Sequence, residues 1–238
     1  MSKHNPVECE HCKLFPICSP VKIGGQEYDF LSKLVDRELS YKRGDYIFRQ
    51  DQPSTSVYAL SSGALKLTYG DKNHNEHIID FRLAGELVAV DSIHTDHFLY
   101  NAQAIEECHI CEISKEHLSG GIASQIHEVQ NKIIHMLSKE IFSNRTPSMM
   151  LLGRNSSEEK VAAFILSMAS RYKDCGYDAT HFTLPMTRVD IAEHLGLAKE
   201  TVIRMFQQLQ KLGLIGFKGK EIEIKDLKAL QKNVGIEI

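Results

Sequence analysis

The sequence predicts an α+β protein in which a β-barrel of jelly-roll type precedes a long helix and a C-terminal winged helix-turn-helix. Three observations carry this prediction. Short runs of β-branched and aromatic residues, separated by turn residues, occupy much of the first half of the chain. A wide apolar stripe at helical spacing follows them. Near the C-terminus, two capped helices flank Leu195-Gly196-Leu197 and a hairpin comes next.

Length, charge and apolar patterning narrow the class of protein. With 238 residues the chain can form two compact domains. It has no apolar run long enough for a bilayer and no secretory signal, so we expect a cytoplasmic protein that binds no membrane. From Gly153 onward, 13 Lys and Arg face 11 Asp and Glu, against 15 and 20 in the remainder. This mildly basic C-terminal part permits a nucleic-acid surface there.

Residues 1–20 are predicted to form an irregular arm that carries the motif Cys9-x2-Cys12-x5-Cys18. Clustered cysteines in a reduced cytosol are more often metal ligands or redox thiols than disulfides. Thiolates so close in sequence can converge on one metal centre without waiting for a core to form. The arm therefore indicates a metal site.

Residues 21–120 are predicted to form the barrel, which we interpret as a sensory domain. A short amphipathic helix is expected first, from Tyr28 to Arg37. From Leu39 to about Ser114 the sequence has the pattern of short strands, such as Val57-Tyr58-Ala59-Leu60, separated by turns such as Gly44-Asp45. Many short strands at this spacing favour an antiparallel barrel or jelly roll.

Residues 121–152 are predicted to form the long helix. Its apolar positions recur every three or four residues, at Ile126, Val129, Ile133, Leu137 and Ile141. A stripe of this width on one exposed helix favours a partner, and we expect a second copy of the chain, giving a homodimer. The alternative is that the helix packs against its own barrel.

Residues 153–238 are predicted to form the winged helix-turn-helix. Ser156 and Glu159 have the spacing of a capping box and start a first helix that runs to about Tyr172. A second capping signature at Thr187-Arg188-Val189-Asp190 opens the helix-turn-helix, whose second helix spans about Ala198 to Leu212. The segment from Ile215 to Ile224 has the pattern of a wing hairpin.

The second helix of such a motif places its N-terminal end in the major groove of DNA. Its outward residues there are Lys199, Glu200, Ile203 and Arg204. Arg can donate two hydrogen bonds to guanine and Glu can accept from cytosine, and Glu200 and Arg204 are one turn apart. The alternative for this pair is an ordinary surface salt bridge. For phosphate contacts we single out Thr201, Arg188, Lys218 and Lys220.

This order of elements resembles the CRP/FNR superfamily of bacterial transcription regulators, most closely its oxygen-sensing iron-sulfur type, named FNR after fumarate and nitrate reduction. The resemblance covers essentially the whole chain. Besides the cysteine arm it is carried by the segments Phe81-Arg82-Leu83-Ala84-Gly85-Glu86-Leu87-Val88, Ala102-Gln103-Ala104-Ile105-Glu106, Cys111-Glu112-Ile113 and Met186-Thr187-Arg188-Val189-Asp190-Ile191. The cyclic-nucleotide members of the superfamily lack such an arm.

The resemblance implies a [4Fe-4S] cluster bound by three arm cysteines and one barrel cysteine, here Cys9, Cys12, Cys18 and Cys111. Cys108 competes for the fourth place, but three positions away on a strand it should face the opposite side of the sheet. The resemblance also implies that the intact cluster favours a DNA-binding dimer on a palindromic site, that oxygen lowers DNA affinity, and that RNA polymerase is a partner. The genes controlled would serve anaerobic metabolism.

The chain departs from the FNR type at three positions. Ile203 stands where the family usually carries Ser, so it can contact a thymine methyl but cannot donate a hydrogen bond. Lys199 is cationic where an apolar residue is common. Asn144 replaces a common carboxylate near the end of the long helix, which predicts a dimer that depends less on the cluster.

Three other readings compete with an iron-sulfur regulator. The first is a regulator of the same fold that uses zinc, dithiol redox or another small-molecule signal, because His4 and His11 lie near the cysteines. The second is a cyclic-nucleotide sensor, but the stretch Phe98-Leu99-Tyr100-Asn101-Ala102 supplies no Arg for a phosphate, so we expect no cyclic nucleotide. The third is an enzyme, which we do not expect because no Gly-rich phosphate loop or nucleophile elbow is present.

Overall fold

The computed structural model describes residues 9–12, 21–23, 26–28, 37–73, 75–116 and 156–234, with helical residues at 130–131, 133–135, 137–138 and 140–141. The chain divides into two compact units, Met1–Ile141 and Phe142–Ile238. The predicted domain boundaries near residues 20, 120 and 152 stay predictions, because each adjoins or lies in a stretch outside the described residues.

The first unit is built from antiparallel strands. Strands β1 (Val21–Ile23) and β2 (Gln26–Tyr28) form a small hairpin. The described strands that follow are β3 (Arg37–Tyr41), β4 (Tyr46–Phe48), β5 (Ser56–Ser62), β6 (Ala64–Gly70), β7 (Glu76–Leu83), β8 (Leu87–Val88), β9 (Asn101–Ala104) and β10 (Cys108–Ser114). They form two four-stranded sheets in the orders β3-β10-β5-β8 and β4-β9-β6-β7. The predicted β-barrel of jelly-roll type is confirmed.

The expected helix from Tyr28 to Arg37 is wrong at both of its ends. Tyr28 closes strand β2 and Arg37 opens strand β3, while the residues between them lie outside the described part. A short apolar run fits a helical and an extended pattern about equally well, so pairing with a neighbouring strand decides the conformation.

Aromatic rings fill the interior between the two sheets. The rings of Phe48 and Phe98 stack with centroids 3.9 Å apart, and Tyr58 and Tyr100 lie within 6 Å of Phe48. The remaining interior side chains are almost all aliphatic, among them Leu60, Leu65, Leu67, Ile110 and Ala102. Each large apolar side chain buried in this way contributes about 1.5–3 kcal/mol. The barrel is therefore held by its own packed core.

The described part of the predicted long helix is helical between residues 130 and 141. Ile133 and Leu137 are half-buried, whereas Ile134 and Ile141 are 62% and 55% exposed in the single chain. The predicted contact residues Ile126 and Val129 lie outside the described residues. Exposed isoleucines on this helix match what the expected homodimer requires.

The second unit contains four described α-helices and a small sheet. The helices are α1 (Ser157–Asp174), α2 (Arg188–Leu195), α3 (Lys199–Lys211) and α4 (Leu227–Val234). Strands β11 (His181–Thr183), β12 (Ile215–Lys218) and β13 (Glu221–Ile224) pair in the order β11-β13-β12. The predicted winged helix-turn-helix is confirmed, and β11 is a third strand that the sequence pattern did not indicate.

The start of α1 follows the predicted capping box. Ser156 Oγ accepts a hydrogen bond from the backbone N–H of Glu159 at 3.1 Å, and the Glu159 carboxylate accepts from the Ser156 N–H at 3.3 Å. The helix ends two residues beyond the predicted Tyr172, where Cys175 and a left-handed Gly176 turn the chain.

In the described part of the chain, every helix is too short or too polar to span a membrane.

Candidate functional site

The helix-turn-helix corner is set by a capping box and one glycine. Thr187 Oγ accepts from the backbone N–H of Asp190 at 3.1 Å, while the Asp190 carboxylate accepts from the Thr187 N–H at 2.8 Å. Gly196 then adopts a φ of 63°, which costs little without a Cβ. Behind the corner, buried side chains of α2 and α3 pack together, namely Ile191, Ala192, Leu195, Val202, Met205, Phe206 and Leu209. The corner therefore presents α3 at a fixed angle.

The N-terminal part of α3 carries an exposed mixed surface. The side chains of Lys199, Glu200, Ile203 and Arg204 are exposed, and Thr201 is half-buried. Over the whole of α3, which is fully described, no ion pair joins Glu200 to Arg204. The surface salt bridge that could have explained this pair is therefore not formed, and both groups are available to a ligand. That they contact bases stays a prediction.

The wing is the hairpin of β12 and β13. Lys218 is exposed at the end of β12, and Gly219 makes the turn with a φ of 62°. Lys220 is also exposed, but its ammonium group donates a hydrogen bond to the backbone carbonyl of Pro185, and its predicted phosphate contact stays a prediction. The two wing lysines predicted to lie near DNA phosphates are thus in unequal environments.

Arg188, another predicted phosphate contact, lies at the start of α2 and reaches the wing. Its guanidinium carbon is 3.8 Å from the ring centroid of Phe206 and 5.8 Å from that of Phe217. Nη2 donates to the Gly219 carbonyl at 3.2 Å, and burial lowers the pKa of the guanidinium to about 10. The hydrogen bond joins residues 31 positions apart and the ring contacts are also distant in the chain, so no local sequence pattern indicated them.

Strand β10 separates the two barrel cysteines as the alternation predicted. Cys108 is fully buried in the barrel core, where the carbonyl oxygens of Ala64 and Glu106 each lie 3.3 Å from its sulfur and can accept its single S–H. Burial raises the pKa of this thiol to about 12. Cys111 points to the other side of the sheet and is half-exposed, opposite Glu38 on β3 and Ala59 on β5. Of these two cysteines, Cys111 is the one that is partly exposed to solvent.

The arm is only partly described. Cys9 opens a short 3-10 turn, Cys9–His11, and Cys12 follows half-buried, whereas Cys18 lies outside the described residues. In the ranges that the structure describes, no group of three or more Cys, His, Asp and Glu side chains converges as a metal site would require. The donor set still fits an iron-sulfur cluster chemically, since such clusters take thiolates and Cys111 offers one on an accessible face.

Polar groups in the loops beside β8 and β9 form hydrogen bonds within the barrel. The Glu86 carboxylate is 2% exposed and accepts from the backbone N–H of Leu83 at 2.9 Å. The hydroxyl of Tyr100 donates to Asp91 at 3.0 Å and accepts from the Ala89 N–H at 3.2 Å. Each of these polar groups therefore has a hydrogen-bond partner inside the fold.

Two family models match the chain in the order that the fold shows. A cyclic nucleotide-binding domain matches residues 38–125, and a Crp-like helix-turn-helix domain matches residues 159–232. The transcriptional activator protein Anr of Pseudomonas protegens is 35% identical over 94% of this chain and 91% of its own length. The fumarate and nitrate reduction regulatory protein of Escherichia coli K12 is 32% identical over 96% of this chain and 91% of its own.

A solved structure extends the similarity to three dimensions. FixK2 from Bradyrhizobium japonicum aligns with a TM-score of 0.72 and 30% identity, covering 84% of this chain and 97% of its own. Since full-length relatives at 32–35% identity and both family models agree with the observed fold, the chain belongs to the CRP/FNR family of transcription regulators.

Proposed function

We propose that this protein is an oxygen-responsive regulator of anaerobic metabolism that binds a palindromic DNA site as a homodimer. The observation that carries the proposal is the placement of Cys111, half-exposed on β10, together with the cysteine motif of the arm. Relatives named for anaerobic regulation and for fumarate and nitrate reduction support the physiological part. Such a protein acts where the chromosome is, in the cytoplasm, and no catalytic role is proposed for it.

The sensor in this proposal is a [4Fe-4S] cluster held by Cys9, Cys12, Cys18 and Cys111. When bound, such a cluster supplies the chemistry by which oxygen is detected. The chain contributes three ligands close together in sequence and one on a rigid strand, so holding the cluster ties the arm to the barrel. Cys108 is unsuited to this role, because its thiol is sealed in the core with a raised pKa and thiolates are the metal-binding form.

The reader in this proposal is the exposed end of α3. Glu200 and Arg204 would read bases, since both are exposed and unpaired with each other in the described helix. Ile203 is 37% exposed and would contact a thymine methyl, and Lys199 would reach a base or a phosphate. Each good bidentate base contact contributes about 1–3 kcal/mol of discrimination. We expect the half-site to differ from that of other FNR-type proteins at the base that Ile203 faces.

Phosphate contacts are proposed for Thr201 and Lys218, with Lys220 and Arg188 partly engaged within the protein. Two half-sites bound by two α3 helices gain affinity only when a dimer presents both together. The exposed Ile134 and Ile141 supply apolar surface for that dimer. RNA polymerase is the further protein partner we propose, as in regulators of this family.

A cyclic nucleotide is not part of the proposal. The aromatic rings of Phe48 and Phe98 stack at 3.9 Å in the barrel interior, and the Glu86 carboxylate is already bonded to the backbone of its own loop. A nearby arginine, Arg82, is already paired with the Asp80 carboxylate at 2.5 Å, so a nucleotide phosphate buried there would have to compete with that carboxylate for it. Addition of cyclic AMP should therefore leave DNA binding unchanged.

The test is anaerobic purification followed by iron and acid-labile sulfide analysis, then visible spectra and DNA binding before and after exposure to air. About four irons and four sulfides per chain, lost in air together with DNA affinity, are expected. Cys111→Ser should retain little iron, whereas the matched variant Cys108→Ser should retain the wild-type amount. Zinc without iron, or a spectrum that air leaves unchanged, would instead indicate the zinc or dithiol mechanism.

A further inference from the structure

Arg188 makes several contacts within the protein that a side chain serving only to contact a DNA phosphate would not require. Its side chain starts at the first residue of α2 and extends to the wing. There the guanidinium stacks 3.8 Å from the ring centroid of Phe206 on α3 and lies 5.8 Å from that of Phe217 on β12. It also donates to the carbonyl of Gly219 in the wing turn at 3.2 Å. One side chain therefore contacts both helices of the helix-turn-helix and the wing.

The two aromatic rings form a seat for this guanidinium. Phe206 and Phe217 meet edge to face, with ring centroids 5.8 Å apart and an interplanar angle of 84°. A planar, weakly hydrated guanidinium suits such a seat better than a compact ammonium group, which holds its water more tightly. Burial lowers the pKa of Arg188 to about 10, yet leaves it charged at physiological pH.

A second tie holds the wing to the same stretch of chain. The ammonium group of Lys220 donates to the Pro185 carbonyl, and the backbone N–H of Leu184 donates to the Lys220 carbonyl at 2.9 Å. The segment 184–188 thus makes three hydrogen bonds with Gly219 and Lys220 of the wing turn. Lys218 takes no part in these ties and stays exposed at the tip.

We propose that Arg188 is a positioning residue that fixes the wing tip against α3, so that Lys218 meets the DNA backbone at a set distance from the reading helix. This inference rests on the proposed DNA-binding function and deepens it. Arg188 then influences DNA affinity mainly through the wing, by reducing the number of positions that the tip samples before binding. Because the wing contacts phosphates, the effect is the same for every DNA sequence.

A direct phosphate contact by Arg188 would give a different pattern. Arg188→Lys keeps the positive charge but loses the planar stack, so a phosphate ligand would survive it largely intact and a positioning residue would not. Phe217→Leu keeps every charge and removes one aromatic ring of the seat. If Arg188 contacts a phosphate directly, Phe217→Leu should change DNA affinity little. If Arg188 positions the wing, Phe217→Leu should weaken DNA binding as Arg188→Lys does.

The experiment has two readouts on the full-length protein, purified and handled without oxygen. Amide hydrogen exchange in the absence of DNA measures the protection of the wing, residues 215–224, with α1 as an internal reference for correct folding. Binding to a random-sequence duplex at several salt concentrations measures sequence-independent affinity. We expect Arg188→Lys and Phe217→Leu each to speed exchange in the wing and to weaken binding about three- to tenfold, with α1 unchanged.

Lys218→Gln is the matched control, because it removes a wing charge without touching the ties. It should weaken binding and flatten the salt dependence while wing exchange stays at the wild-type rate. The double variant Arg188→Lys with Lys218→Gln should lose less affinity than the product of the two single losses, since a loosened tip already uses Lys218 poorly.

Arg188→Lys with wild-type exchange and wild-type affinity would overturn the proposal. So would fully multiplicative losses in the double variant. Wild-type protein that fails to bind the duplex would overturn the DNA-binding function instead, and the exchange measurement would still decide whether Arg188 holds the wing.

Discussion

Gly63 is the position at which a single methyl group should disturb the barrel most specifically. It lies in the turn between β5 and β6 with a φ of +87°. A Cβ added there would lie 2.3 Å from the Glu107 carbonyl oxygen and 2.7 Å from the Cys108 sulfur. Because Cys108 opens strand β10, the turn and that strand touch backbone to backbone. Gly63→Ala must therefore displace the start of the strand that carries Cys111.

The size of the effect follows from two separate costs. A non-glycine residue in the left-handed region costs about 1–2 kcal/mol. Overpacking of a rigid neighbour adds about 1–3 kcal/mol, and here the nearest atoms belong to backbone and to a buried thiol. We expect Gly63→Ala to lower the free energy of unfolding of the barrel by about 2–5 kcal/mol.

Gly44 provides a matched control in the same unit. Its φ is +96°, but a Cβ there would meet no atom within 4 Å. Gly44→Ala should therefore lower the free energy of unfolding only by the cost of the left-handed backbone conformation, about 1–2 kcal/mol. The difference between the free energies of unfolding of the two variants measures the cost of the contact with β10.

The assay is urea unfolding of the two variants and the wild type, followed by circular dichroism, with iron content measured on anaerobically purified protein. Gly63→Ala should unfold at lower urea than Gly44→Ala and should retain less iron, since the Cys111 strand is displaced. Equal stability of the two variants would refute the reasoning, because it would show that the turn moves away from β10 at no cost.

Three further predictions concern single side chains. Thr187→Ala should destabilise the second unit by about 1 kcal/mol in urea unfolding, whereas Thr187→Ser should be close to wild type. In cluster-free protein at neutral pH, iodoacetamide followed by peptide mass spectrometry should label Cys111, and Cys108 only after unfolding. Hydrogen bonds from Asn75 lower the pKa of the Asp71 carboxyl to about 2. The ionised carboxylate should therefore stabilise this loop fully above the unfolded pKa, and the stabilisation should be lost as pH falls through about 2. An NMR titration of the Asp71 carboxyl measures this pKa.

The elements that sequence reasoning located correctly are those set by neighbours in the chain. The capping boxes at Ser156 and Thr187 each involve a residue only three positions away. Strand alternation likewise needs only the period of an extended chain, and it placed Cys108 and Cys111 on opposite sides of β10. The helix expected from Tyr28 to Arg37 was wrong at its ends because its pattern was too short to distinguish the two periods.

In the candidate site, the sequence identified which residues of α3 face outward. It did not identify the contacts that Arg188 and Lys220 make within the protein. The exposure of Glu200, Ile203 and Arg204 follows from helical period around the buried Val202 and Phe206. The engagement of Arg188 and Lys220 within the protein does not, since their partners lie 31 and 35 positions away. The sequence analysis singled out both residues for phosphate contacts without indicating these internal partners.

By itself, then, the sequence determined the order of domains, the family and the identities of the thiols and outward-facing helix residues, because local period and capping depend on neighbours a few positions apart. Only the tertiary structure decided that Gly63 abuts Cys108, that Phe48 stacks on Phe98 and that Arg188 reaches the wing. Those contacts depend on how strands and helices register across the fold. A register shift such as the one between His109 and Ile110 in the pairing of β10 with β5 changes which atoms meet without changing any local pattern.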